Sequence, residues 1–136
     1  MSGIAGIIRL DGSPVVAAEL AAMLVPMARR GPDGLRQLAR GNVGFGQALL
    51  ATTPEATAEL QPWTHRETGC IVVSDSRLDN RPQLLQALGI QGRAADDVGD
   101  GELLHAAYER WGKDCAQHLL GDFAFALWDP RQQLLL

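Results

Sequence analysis

The two cysteines and three histidines of this sequence, Cys70, Cys115, His65, His105 and His118, carry the donor chemistry of a zinc site. Protein zinc sites draw closely spaced Cys and His pairs, and helical metal sites place two His one turn apart. Neither spacing occurs here, so both cysteines read as reduced core residues and no metal is implied. Phosphate chemistry is equally unsupported, because no Gly-rich loop lies between a strand and a helix to cradle ATP. Two polar strings remain. Arg30-Gly-Pro-Asp-Gly34 is turn chemistry, since the residue before Pro32 is pushed out of the helical region and the glycines allow unusual backbone angles. Asp100, followed by Glu102 and an apolar run, is what a helix start needs.

The elements that must position these residues alternate between short apolar strands and amphipathic helices. Gly3 to Arg9 is apolar and β-branched, with Asp11-Gly12 and Ser13-Pro14 as the turn after it. Leu20, Met23, Leu24 and Met27 recur at helical spacing, which predicts a helix over 15–28 whose last turn Pro26 distorts. Leu35 to Ala39 and Val43 to Leu50 read as a hairpin about Gly41-Asn42. Residues 51–68 are loop-like and 70–73 form a strand. Asn80 is expected to cap a helix over 81–88 ended by Gly89, and Asp100 opens a second through Trp111, closed by Gly112. Phe123 to Trp128 is a strand, and Leu134 to Leu136 begins another. Short turns between strands predict antiparallel sheets with two or three helices packed on them, an α+β or layered α-β-β-α architecture. A chain ending inside an apolar strand leaves a sheet edge to account for and reads as truncated at its C-terminus.

Length and composition agree with one domain over 1–136. The 136 residues suffice for one sizeable core. Apolar residues make up 46% and charged residues 21%, as in ordinary globular domains. The formal charge is −4 with scattered Lys and Arg, so neither nucleic acid nor a membrane is an expected partner. No basic leader or spanning apolar run occurs, and the protein reads as cytoplasmic. The aromatics Trp63, Phe123, Phe125 and Trp128 read as core or interdomain packing.

Four stretches, in order and in register, resemble the glutaminase domain of asparagine synthetases: Met1-Ser-Gly-Ile-Ala-Gly-Ile7, Arg30-Gly-Pro-Asp-Gly34, Asp100-Gly-Glu-Leu-Leu104 and Leu120-Gly-Asp-Phe-Ala-Phe-Ala-Leu-Trp-Asp129. The resemblance implies a class-II glutamine amidotransferase domain with the four-layer N-terminal-nucleophile hydrolase sandwich of two antiparallel sheets. It also implies a nucleophile at the first residue of the mature chain, cysteine in the family and Ser2 here. Its α-amino group would serve as base. The family's oxyanion-hole Asn-Gly pair corresponds here to Asp75 and Ser76, and a carboxylate accepts hydrogen bonds where a donor is needed. The arginine that clamps the glutamine α-carboxylate has no counterpart between Arg40 and His65. Asp100 matches the family residue that receives the substrate α-amino group, although the local chemistry favours a helix cap. Arg30, Gly31 and Asp33 would lie near the glutaminase pocket, although the same residues fit a structural turn.

Ser76-Arg-Leu-Asp-Asn-Arg81 and Leu50-Ala-Thr-Thr-Pro-Glu55 further resemble the asparagine-synthetase homologues that close lasso peptides. Those cyclases activate a carboxylate with ATP and need no ammonia. The implied reading is a domain without glutaminase activity, docked on a C-terminal synthetase domain that is absent here, with a precursor peptide as a further partner. ATP and Mg belong to that absent domain, and no cofactor is expected for this one. A homo-oligomer through an open strand edge is a further expectation. The alternative is a working glutaminase that uses Ser2 as nucleophile.

Overall fold

A computed structural model describes residues 2–57 and 59–136. Strand β1 (Gly3–Ile8) and the hairpin β2 (Gly34–Arg40) and β3 (Val43–Leu49) form a sheet in the order β1-β3-β2. The second sheet runs β4-β5-β6-β7, built from Trp63–Thr64, Ile71–Leu78, Gly121–Asp129 and Leu134–Leu135. All pairings are antiparallel. Helix α1 (Ala17–Leu24) lies on the first sheet, while α2 (Arg81–Leu88) and α3 (Asp100–Trp111) cover the second. The expected α-β-β-α layering is therefore present.

Small residues explain how close α1 comes. A Cβ on Gly46 would stand 2.7 Å from the Leu24 side chain, and one on Gly44 would stand 2.9 Å from Val15. Between the sheets lie Val43, Phe45, Ile71, Val73 and Trp128. Beneath α2 and α3 lie Val72, Leu78, Leu84, Leu85, Leu103, Leu104, Ala107 and Leu127. Trp63, Phe123 and Phe125 pack against that second cluster. The alternation of β5 divides its side chains between the two cores: 71, 73 and 75 face the first sheet, and 72, 74, 76 and 78 face the helices.

Several expectations need correction. The first helix is α-helical only over Ala17–Leu24 and tightens into a 3-10 turn at Val25–Met27, because Pro26 has no N–H to continue the ladder. The strand expected over 70–73 runs on to Leu78, since the nine-residue β6 offers a partner along that whole length. Asn80 does not cap α2 with its side chain. Its amide donates to the His118 carbonyl and accepts from the Leu120 N–H, tying α2 to the start of β6. The histidines, apart in sequence, are not all apart in space: His65 and His105 stack with centroids 4.4 Å apart, and His118 stacks on Trp111 at 4.0 Å. Both cysteines are buried and unpaired, as expected. No helix among the described residues is long and apolar enough to cross a membrane.

Candidate functional site

The two sheets bring their polar ends together at one edge of the sandwich. Register places Gly3 opposite Ala48, which carries Ser2 to the end of β3. There the Leu50 N–H donates to Ser2 Oγ at 2.9 Å, and the Ser2 backbone N–H donates to Asp75 Oδ1 at 2.9 Å. Asp75 faces Ser2 because it shares the inward parity of Ile71 and Val73. Ser76, one residue on, points to the helices, where its hydroxyl donates to Asp100 Oδ2 at 2.8 Å. Ser2 and Asp100 are buried, and Asp75 and Ser76 are half-buried. All four line one cavity of about 40 Å³, together with Leu49, Leu50, Glu55 and Glu59. That volume holds a few waters at most.

Behind Ser76 a buried polar network fixes the floor. The Gln61 side-chain oxygen accepts the Ser74 N–H at 2.6 Å, and Gln47 donates to the Ser74 carbonyl at 2.8 Å. Nothing in the sequence flags Gln47, Gln61 or Glu59 as partners, because residues 13 to 43 positions apart meet here.

Asp100 does not cap its helix. Gly99 holds the cap position, and the Asp100 carboxylate turns away to Ser76 and to the buried guanidinium of Arg81. The first-turn donors of α3 are taken instead by Glu59, which accepts from the Gly101 and Glu102 N–H groups. The cap is thus supplied by a distant loop residue, which leaves Asp100 free to face the cavity. Arg81 also bonds the Ala95 and Val98 carbonyls and lies 4.0 Å from Glu55. Burial pushes the Asp100 carboxyl above its ordinary value, although Ser76 and Arg81 pull it down. Glu59 is also raised by burial, against the pull of its Gly101, Gln61 and Glu102 donors.

Arg30, Gly31 and Asp33 stand outside the cavity lining. Arg30 and Asp33 are exposed. Asp33 ties the turn to the strand end: its N–H donates to the Leu49 carbonyl at 3.0 Å and its carboxylate accepts the Ala51 N–H at 2.8 Å. Gly31 rests on the β3 backbone, where a Cβ would come within 2.0 Å of the Ala48 carbonyl carbon. The string therefore acts as a turn that holds the rim carrying Leu49 and Leu50. The lining contains no Lys or Arg among the described residues.

The sequence pattern of the family described as "Glutamine amidotransferase domain" matches residues 1–136. The chain belongs to that family. This glutamine amidotransferase domain is 31% identical over 110 residues to "Asparagine synthetase [glutamine-hydrolyzing] 3" of Bacillus subtilis, covering 80% of the chain. It is 40% identical over 113 residues to a "Putative asparagine synthetase [glutamine-hydrolyzing]" of Mycobacterium bovis, covering 76% of the chain. "Amidase chyE" of Penicillium rubens is 29% identical over 125 residues, covering 89% of the chain. The matched region spans 17–18% of the length of these relatives.

Proposed function

We propose that this glutamine amidotransferase domain has lost glutamine hydrolysis and serves as a structural or substrate-docking domain for an ATP-dependent amide-forming domain, in an enzyme of the lasso-peptide cyclase type. The observation that carries this reading is the Asp75 carboxylate beside Ser2. A nucleophilic attack by Ser2 Oγ would build negative charge where Asp75 can only accept hydrogen bonds. Were Ser2 the first residue, its ammonium would face the same carboxylate, which favours the charged form and weakens the amine as a base. Ser2 Oγ is already engaged by the Leu50 N–H. A lining without a cation leaves a substrate α-carboxylate unpaired. ATP and Mg chemistry, and any precursor peptide, belong to the larger enzyme under this reading.

The competing reading, a working glutaminase with Ser2 as nucleophile, is favoured by the convergence of Ser2, Asp75, Ser76 and Asp100 on one cavity and by the glutamine-hydrolysing synthetases among its relatives. Glutamate release from glutamine separates the two. The expected result is no turnover by the chain or by Ser2→Cys with Met1 removed. Activity should need Asp75→Asn, Ser76→Gly and Leu49→Arg as well, since Leu49 lines the cavity and the groups act as one unit. Turnover of about one per second or faster by Ser2→Cys alone overturns the proposal.

A further inference from the structure

At the opposite end of β5 from Ser76, three donors of mixed chemistry meet. Cys70 immediately precedes the strand, and His105 and Glu109 are one turn apart on α3. The Cys70 sulfur, a His105 ring nitrogen and a Glu109 carboxylate oxygen all lie within 4.8 Å of one another. His105 Nε2 is 3.6 Å from Glu109 Oε1 and 3.3 Å from the Thr68 hydroxyl, which also accepts the Cys70 N–H. We propose that Cys70, His105 and Glu109 form a binding site for a thiophilic divalent cation of the zinc class, with water from the adjoining groove as fourth ligand.

Donor chemistry selects the ion. Thiolate and imidazole favour Zn²⁺ over Mg²⁺ or Ca²⁺, which take oxygen. Metal bonds of about 2.3 Å to sulfur and about 2.0–2.2 Å to nitrogen and oxygen require the donors to draw closer than 4.8 Å. The exposed Glu109 side chain supplies that movement by a change of rotamer. Access comes from an open groove lined by His65, Glu67, Thr68, His105 and Glu109.

Charge is the main objection, and the local ion pairs answer it. Without metal, Arg131 reaches Glu109 and lies 3.8 Å from the Cys70 sulfur. Arg131 is held independently by Asp129, through its backbone N–H at 2.9 Å, its Nε at 3.0 Å and its Nη2 at 2.9 Å. It can therefore release Glu109 without losing its partner. A thiolate and a glutamate then balance a divalent ion, and Asp129 balances Arg131. Binding releases the Cys70 thiol proton to solvent. The ion would join the start of β5 to α3. The sequence concealed this because Cys70 and His105 stand 35 residues apart, outside any metal-ligand spacing.

The test is Co²⁺ titration of the reduced 136-residue chain, followed by Zn²⁺ competition. A near-ultraviolet thiolate-to-cobalt band should saturate at one equivalent, vanish on adding Zn²⁺ and ignore Mg²⁺. Cys70→Ser should abolish the band and Cys115→Ser should leave it. Because Cys70 is buried and its replacement could unfold the chain, Glu109→Gln at the surface is the second variant, expected to weaken Co²⁺ binding about tenfold or more with unchanged circular dichroism. No band at one equivalent in the wild type, a band that survives Cys70→Ser, or unaltered affinity in Glu109→Gln overturns the assignment.

Discussion

Asp100 and Asp129 are both buried aspartates paired with an arginine, yet their acidities move in opposite directions. Burial lifts Asp100 above its ordinary value, whereas hydrogen bonds from Arg131 lead in drawing Asp129 down to about 2. The difference is the supply of donors. Asp129 has no exposed surface but lies just under it, and it receives the Tyr108 hydroxyl at 3.0 Å, the Gln132 amide and three Arg131 donors. Asp100 receives one hydroxyl and a share of Arg81, whose other contacts are the Ala95 and Val98 carbonyls and Glu55. The cavity end therefore sets Glu55 and Asp100 against one arginine, with Glu59 and Asp75 held by backbone N–H groups, while the other end gathers its donors on Asp129. Asp129 has five donors and stays acidic, whereas Asp100 has one hydroxyl and one arginine, and there burial prevails.

Removing each arginine breaks the comparison most directly. Arg81→Met leaves Asp100 and Glu55 buried without a cation and should cost about 3–5 kcal/mol in urea unfolding. Arg131→Met removes a side chain that is 43% exposed and leaves Tyr108, Gln132 and a backbone N–H on Asp129. Solvent screening should make its loss clearly smaller than that of Arg81→Met. Equal losses would show that the two ends are electrostatically alike.

Tyr108→Phe probes the saturated end more gently. It deletes one donor to Asp129 and should cost about 1 kcal/mol at neutral pH. The Asp129 carboxyl, titrated by carbon-detected NMR, should rise from its value of about 2. An Asp129 titration that stays in place would mean Arg131 alone sets its acidity. The Tyr108 hydroxyl in turn is pushed up to about 12, led by burial and by Asp129.

What could be read in the sequence follows the range of the interactions. The Gly41-Asn42 hairpin, the helix beginning at Asp100 and the apolar strand from Ile71 all announce themselves within a few residues, because turn chemistry and periodicity are local. The family motifs likewise led to Ser2, Asp75, Ser76 and Asp100, which the fold brings into one cavity. Hidden features depend on distant partners. Asp100 looks like a cap until Glu59, 41 residues earlier, is seen on the α3 donors. The strand read over 70–73 gains its polar end, through Leu78, only when β6 pairs with it. Arg81 reads as the first residue of a helix, and only the fold reveals it as the buried partner of Asp100 behind the cavity lining.

The smallest expected effect is also the one most specific to the cavity. Glu59 has a folded-state pKa raised by burial, so its contribution to stability is complete below the usual carboxylate range and is lost as pH rises through the raised value. Asp129 runs the other way: its contribution is present above its unfolded value of 3.8 and is lost only as pH falls toward about 2. Acidification from neutrality toward the usual carboxylate range should therefore stabilise the domain slightly through Glu59 and Asp100, before protonation of Asp129 destabilises it at much lower pH. Glu59→Gln keeps an oxygen for the Gly101 N–H while removing the titrating group. Its thermal midpoint should equal or exceed the wild-type value at neutral pH and should gain less on acidification, with the low-pH loss unchanged. A wild-type midpoint that falls steadily from neutrality downward, or a Glu59→Gln profile parallel to the wild type throughout, would mean that the carboxylates of the cavity are as well supplied with donors as Asp129.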